Sequence, residues 1–285
     1  MKIGIFTVSM PEYTPERALE VASAIGYDGL EWRVTADAGD TEHPSFWSGN
    51  RTSMTAEVLQ EKAPALRELA DNLGMEMPSL GSSVSCFDFE TVEHVFRAAN
   101  AIGAKAARIN VGGYDPAVSF REQIAKNREQ YGKIEKLAAR YKVKALAETH
   151  MGLLCPTVIS TLEVLDGLDP DHVGIMWDPG NQVEEGTERY NMAIRAAGPY
   201  LAEVHVKNRA HRQIMVENGR LAWQVDNVQL QYGEVNWPAV ISELKLNGYN
   251  GWLILEDFSS VQPIDARLKN NLEFLRGPCG VECEK

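Results

Sequence analysis

Glu148, Asp178, His205 and Glu256 are the residues of this chain whose types and positions could do chemistry together. Each closes a run that reads as a strand: Val143 to Glu148, His172 to Asp178, Leu201 to Lys207 with His205 near its end, and Gly251 to Glu256. Taken singly each has an ordinary explanation: a solvated carboxylate, a helix or turn cap, a core histidine, the partner of a nearby Lys or Arg. At matching ends of consecutive strands the four converge on one rim. Three carboxylates and one imidazole make an oxygen-rich donor set that suits one divalent ion with open coordination positions, Mn²⁺ first, then Mg²⁺, Co²⁺ or Zn²⁺. The set lacks the thiolates and extra histidines of a closed structural zinc centre. Asp178-Pro-Gly-Asn181 is in itself a turn signal, with Pro presetting φ and Gly or Asn accepting positive φ.

Side chains two apart on a strand share a face. If Glu148 faces the rim then so does His150, and the same parity places Lys207 with His205, Arg33 with Glu31, and Asn110 with Arg108. These are candidates for holding a polar ligand. For Arg33 and Arg108, exposure above the rim is the competing reading.

The elements that must carry these residues alternate. Met-Lys-Ile-Gly-Ile-Phe-Thr reads as a first strand, and Thr14-Pro15-Glu16 opens a helix whose Ala18, Val21, Ala22 and Ile25 recur at helical spacing up to Gly26. Strands follow at Tyr27–Val34, Met75–Leu80 and Ala104–Val111, with helices marked by Leu59 to Leu73 (kinked near its start by Pro64), Phe89–Ile102 and Phe120–Tyr141. Further helices at Thr157–Leu165, Arg189–Ala197, Trp237–Leu246 and Ile264–Leu275 alternate with the four strands named first. Repeated strand-then-helix units without a break in composition predict a single (β/α)8 TIM barrel over residues 1–285, with 277–285 as a tail. The polar stretch Ala36–Arg51, with His43, Pro44, Phe46 and Trp47, is a loop.

One connection is too long for that scheme. Residues 208–236 separate the seventh strand from its helix, and within them Gln213–Trp223 predicts a β-hairpin about Asn218-Gly219. Because it follows a strand, the insertion rises on the rim that holds the four residues. It is either a lid over the barrel mouth or a contact between two copies of the chain.

At 285 residues, 44% apolar and 24% charged, the chain is long enough and apolar enough to bury one large core. A formal charge of −12 opposes a nucleic-acid partner, whose backbone is bound mainly by Lys and Arg. The four Cys (Cys86, Cys155, Cys279, Cys283) are scattered except for the tail pair, as in a protein with reduced thiols. No stretch is long and apolar enough for a membrane span or a signal peptide, which predicts a cytoplasmic protein. Exposed aromatics in the two long loops point to a homo-oligomer.

Glu148, the Asp178-Pro-Gly-Asn segment, His205-Val-Lys207-Asn208, Gly233-Glu234-Val235-Asn236-Trp237 and Glu256 resemble the xylose-isomerase-like barrel superfamily of sugar isomerases, epimerases and related lyases. The resemblance spans nearly the whole chain. It implies that the four residues bind one metal ion, that Glu148 and Glu256 also form the acid/base pair, and that the substrate is a small sugar or sugar derivative. Such an enzyme removes a proton next to a carbonyl and returns it through an enediolate, with His150, Lys207 and Asn181 holding hydroxyl oxygens. In the ketose 3-epimerase branch a His lies three residues after the Asp, where this chain has Asn181, and an Arg lies six after the metal His, where it has His211. Three other outcomes share the scaffold: an inosose-dehydratase-like lyase, an apurinic endonuclease, and a catalytically silent sugar-binding protein. The nuclease needs further His and Asp ligands for three zinc ions, and Asn110 and Asn181 stand where imidazoles would help.

Overall fold

The computed structural model describes residues 1–37 and 39–282. Cys283, the second cysteine of the tail pair, lies outside the described residues; Cys86, Cys155 and Cys279 are free and buried. No helix among the described residues is long and apolar enough to cross a membrane.

Strands β1 (Lys2–Phe6), β2 (Gly29–Val34), β3 (Ser79–Ser82), β4 (Ala106–Arg108), β5 (Lys144–Glu148), β6 (Val173–Trp177) and β7 (Leu201–Val206) lie side by side in chain order. After a separate antiparallel pair, β8 (Asn208–Met215) and β9 (Leu221–Val228), strand β10 (Trp252–Leu255) joins β7 to β1 and closes the barrel. Every pair in the barrel is parallel. The helices are α1 (Pro15–Ile25), α2 (Ala56–Leu73), α3 (Phe89–Ile102), α4 (Phe120–Tyr141), α5 (Val158–Leu165), α6 (Pro179–Glu185), α7 (Tyr190–Ala197), α8 (Trp237–Leu246) and α9 (Ile264–Arg276). The expected (β/α)8 barrel with a hairpin after the seventh strand is the fold observed.

Local chemistry explains the boundaries. Side chains of Thr14, Thr55, Asp88, Thr157 and Asn236 accept hydrogen bonds from free N–H groups in the first turns of α1, α2, α3, α5 and α8. The main core lies between the strands and their helices, with Leu19, Leu30, Leu59, Phe96, Tyr131, Ile175 and Trp237 fully buried. A smaller cluster of Phe6, Val8 and Ile254 is separate from it. Here a close approach demands glycine: a Cβ on Gly81 would stand 2.4 Å from the Phe6 ring and 3.0 Å from Glu31 Oε1.

Four expectations need correction. The third strand begins at Ser79 rather than Met75, because Pro78 has no N–H to give the ladder and Glu76 makes only an isolated bridge to Gly29. The fourth is three residues long, not eight. Helix α2 runs through Pro64 from Ala56, so the proline lies in its middle. The Asp178-Pro-Gly-Asn segment is the start of helix α6, absent from the expected order: Asp178 caps it by accepting from the Asn181 N–H at 3.0 Å, and Pro179 occupies the first turn. Gly180 is therefore not needed for positive φ. A Cβ there would meet Lys207 Cγ at 2.5 Å, so its lack of a side chain makes room for that lysine.

The hairpin is longer than Gln213–Trp223. It pairs from Asn208↔Val228 out to Met215↔Leu221, with Asn218 at φ 68° and Gly219 at φ 70° in the turn. Lys207 alone separates β7 from β8, so the hairpin continues directly from the strand that carries His205.

Candidate metal centre

Glu148 ends β5, Asp178 follows β6, His205 lies within β7 and Glu256 follows β10. Parallel register sets these ends at one level: Glu148 pairs with Met176, Ile254 with His205, and the Glu256 N–H donates to Val206 O at 2.9 Å. The Asp178 N–H donates to Thr149 Oγ1 at 2.8 Å, which ties the ends of β5 and β6 together. All four side chains are buried, and one donor atom from each lies within 4.8 Å of the others.

His205 organises the set. Its Nδ1 lies 3.4 Å from Glu148 Oε1, 3.7 Å from Glu256 Oε2 and 3.9 Å from Asp178 Oδ2, yet has no hydrogen-bond partner. Its Nε2 lies 2.9 Å from Glu31 Oε2 and 3.9 Å from Glu203 Oε1. With a cation among the carboxylates the ring would be neutral, donating through Nε2 to Glu31 and offering the Nδ1 lone pair to the ion, the arrangement in which a ligating histidine is held by an acid behind it. An unpartnered, fully buried ring nitrogen aimed into a carboxylate set is the observation that fits a divalent cation to these residues.

So many buried carboxylates need compensating charge. Arg108 Nη1 contacts Glu148 Oε2 at 2.6 Å, and its Nε donates to Ser82 O at 2.7 Å. Lys207 Nζ lies 2.8 Å from Asp178 Oδ2 and also pairs with Glu256 Oε2. Burial pushes the Glu148 carboxyl upward, but the Arg108 charge and the His205 contact outweigh it and hold it well below the ordinary glutamate range. For Glu256 burial is likewise overcome, by Lys207 and then His205, and the carboxyl falls to about 2. Asp178 goes the other way, raised chiefly by burial against the pull of Lys207. Burial opposes the charged form of His205, but Glu31 and the surrounding carboxylates raise it well above the usual histidine value.

The remaining sequence candidates divide. Asn181 donates to Glu148 Oε1 and to Thr149 O, both at 3.2 Å, and its Oδ1 is buried without a partner. His150 is half-buried with Nδ1 2.6 Å from Met151 O. Asn110 presents a buried, unpartnered Oδ1. His211 contacts Glu234 at 3.0 Å and meets the Trp223 ring edge-on, and no contact joins it to the four donors. Arg108 is buried among the donors rather than exposed above them.

Several participants were not singled out from the sequence. Glu31 was placed by parity with Arg33 among candidates for a polar ligand but not as the partner of His205, and Glu203 was not read at all, although it stands two residues before His205 on the same face; that parity was the available signal. Burial, followed by the charge of Glu31, raises the Glu203 carboxyl to about 8. Arg209, buried beside the rim, pairs with Glu184 of α6. A cavity of about 890 Å³ lies at the other end of the barrel, lined by the first residues of several strands, among them Lys144, Leu201 and Trp252, and by Glu203.

Residues 19–277 match the family model described as the xylose isomerase-like TIM barrel. A curated relative, the inosose dehydratase of Lactiplantibacillus plantarum, is 26% identical over 154 residues, a match spanning half of this chain and half of that protein. Among solved structures, the 3-keto-D-glucoside 4-epimerase from E. coli superposes with a TM-score of 0.72 at 16% identity, over 97% of this chain and 99% of that one. The IolI protein, solved with a zinc atom bound, gives 0.72 at 15% identity over 97% of each chain.

Proposed function

The chain belongs to the xylose isomerase-like TIM barrel family, and from that premise we propose that it is a metal-dependent sugar isomerase or epimerase working by proton abstraction next to a carbonyl. The observation that carries the reading is the unpartnered His205 Nδ1 facing Glu148, Asp178 and Glu256 within a buried, charge-compensated set. A divalent ion held by those four residues, Mn²⁺ by preference for an oxygen-rich site, supplies positive charge for the carbonyl and hydroxyl oxygens of the sugar.

The rest falls to the chain's own groups. Glu148 and Glu256 come from β5 and β10, with β6 and β7 between them, so they approach a bound sugar from different sides. Each is kept ionised by a neighbouring cation, Arg108 for Glu148 and Lys207 for Glu256. An ionised carboxylate on one side takes the proton, and one on the other returns it to the opposite face or the neighbouring carbon. Lys207, Asn181 and His150 have donors or acceptors for the remaining hydroxyls, and the β8–β9 hairpin would screen the mouth from water. Several structural neighbours are named as sugar epimerases, which supports a small sugar derivative as substrate.

The match to an inosose dehydratase favours a second reading, a lyase in which the same proton removal is followed by loss of a β-hydroxyl. Incubating the Mn²⁺-loaded protein with phosphorylated and unphosphorylated ketoses and inososes in D₂O separates the two: rearranged product carrying deuterium supports the isomerase, and loss of water the lyase. Glu148→Gln and Glu256→Gln should each lower turnover by about 10²–10⁴-fold, the usual worth of an acid/base group. Near-normal turnover in either variant would refute the assignment.

A further inference from the structure

Residues 39–55, which lead into α2, are held by a defined set of hydrogen bonds. Asp37 Oδ1 accepts from the N–H groups of Gly39 at 3.0 Å and Gly49 at 2.8 Å, while Oδ2 accepts from Asn50 N at 3.0 Å and Arg33 Nη1 at 3.2 Å. Asn50 Nδ2 in turn donates to Val8 O at 3.0 Å and Phe46 O at 3.2 Å, which pins the loop beside the end of β1. A loop so held nevertheless leaves the Trp47 ring 61% exposed. Isolated exposed apolar residues are ordinary; a tryptophan held out by a fixed loop beside a polar centre is not explained by packing.

Trp47 is linked to the centre on two sides. Its ring centroid is 4.8 Å from that of Phe258, and the Phe258 ring lies 5.6 Å from Lys207 Nζ, which pairs with Asp178 and Glu256. On the other side the Arg33 guanidinium stands 5.7 Å from the Trp47 ring, close enough to Arg108 for the two charges to interact, and Arg108 pairs with Glu148. Phe46 meets the Phe258 ring edge-on at 5.2 Å. The result is an aromatic patch, the Trp47 and Phe258 planes 41° apart, with the Arg33 guanidinium over the indole and Phe258 next to the lysine that pairs with two of the carboxylates.

Resting on the reading of the centre as a sugar site, we infer that Trp47, Phe258 and Arg33 form a subsite for a second sugar ring, so that the substrate class is a glycoside rather than a free monosaccharide. The C–H-rich face of a pyranose stacks on the exposed part of an aromatic plane, and N–H groups of the neighbouring Arg33 guanidinium other than Nη1 donate to hydroxyls. A phosphate fits poorly, because the π-face is negative and the Arg33 charge is already balanced by Asp37 at 3.2 Å.

The test is binding, followed by isothermal titration of the Mn²⁺-loaded protein with a panel of disaccharides and their constituent monosaccharides. At least one disaccharide should bind more tightly than its parts, and Trp47→Ala should reduce that ratio by about tenfold, the worth of one lost aromatic contact. Trp47→Phe should retain most of it, and the exposure of Trp47 makes both variants foldable. Disaccharides bound no better than monosaccharides, or a ratio unmoved by Trp47→Ala, would overturn the second-ring subsite and leave the sugar reading standing. Binding of no sugar by a protein that still takes up Mn²⁺ would overturn both.

Discussion

His205 is held from behind. Glu31 fixes the ring through Nε2 at 2.9 Å and so decides which nitrogen is offered to the carboxylates. Acids in that position are usually worth about 10–100-fold in metal affinity. Glu31→Ala should therefore weaken Mn²⁺ binding by that factor with the circular dichroism unchanged, and Glu31→Gln, which still accepts from Nε2, should recover part of it; titration calorimetry reads both, and an unchanged dissociation constant would remove Glu31 from the centre. At this scale the sequence was informative about residue types and silent about partners. The four donors were legible because each ends an apolar run. The contacts that make them usable, Arg108 on Glu148 and Glu31 on His205, join residues 40 and 174 positions apart, and no local pattern announces them. Gly180 is the instructive case: read as a turn glycine, it is required because Lys207 passes where its Cβ would be.

Among the elements, the loop after β2 depends on one carboxylate. Burial acts to raise Asp37, but three backbone N–H groups and Arg33 outweigh it and hold the carboxyl below the ordinary aspartate range. A depressed folded value means that the stability it contributes is complete above the unfolded aspartate pKa of about 3.9 and is lost as the pH falls through the lower folded value. Asp37→Asn should accordingly lower Tm at pH 6, with the gap to the parent narrowing once the pH drops below about 4; a gap independent of pH would mean that Asp37 does not hold the loop as an anion. The Thr14-Pro15 start, the helical spacing of Ala18, Val21, Ala22 and Ile25 and the closing Gly26 made the limits of α1 readable in the chain. The third strand was misplaced because Met75, Glu76 and Met77 alternate like a strand, and only pairing with its neighbours shows that Pro78 delays the ladder. Helix α6 was missed because seven residues after a capping Asp are too few to show a helical period.

At the scale of the whole molecule the barrel was legible because alternation of strand and helix recurs around the chain, so that an error at one boundary leaves the count intact. The rim that holds the donors follows from that topology, since side chains at the carboxyl ends of parallel strands meet over the axis. The hairpin could be read from Asn218-Gly219, while its full length from Asn208 to Val228 could not, because its outer face is polar and its apolar residues, such as Met215 and Trp223, are exposed. Closing the donors on a cation should stabilise the entire fold: at a hundredfold excess over Kd, Mn²⁺ should add about 2.7 kcal/mol, seen as a rise in Tm that Asp178→Asn abolishes. The central claim is that Glu148, Asp178, His205 and Glu256 form one metal centre, and counting metal tests it most directly. Elemental analysis after saturation with Mn²⁺ and removal of the excess should find one ion per chain, and with free Mn²⁺ buffered at the parent Kd the tenfold or greater loss of affinity expected for a missing ligand should lower occupancy from about one half to about a tenth or less in His205→Asn and Asp178→Asn. Three tightly held zinc ions per chain, or one ion retained in both variants, would contradict it.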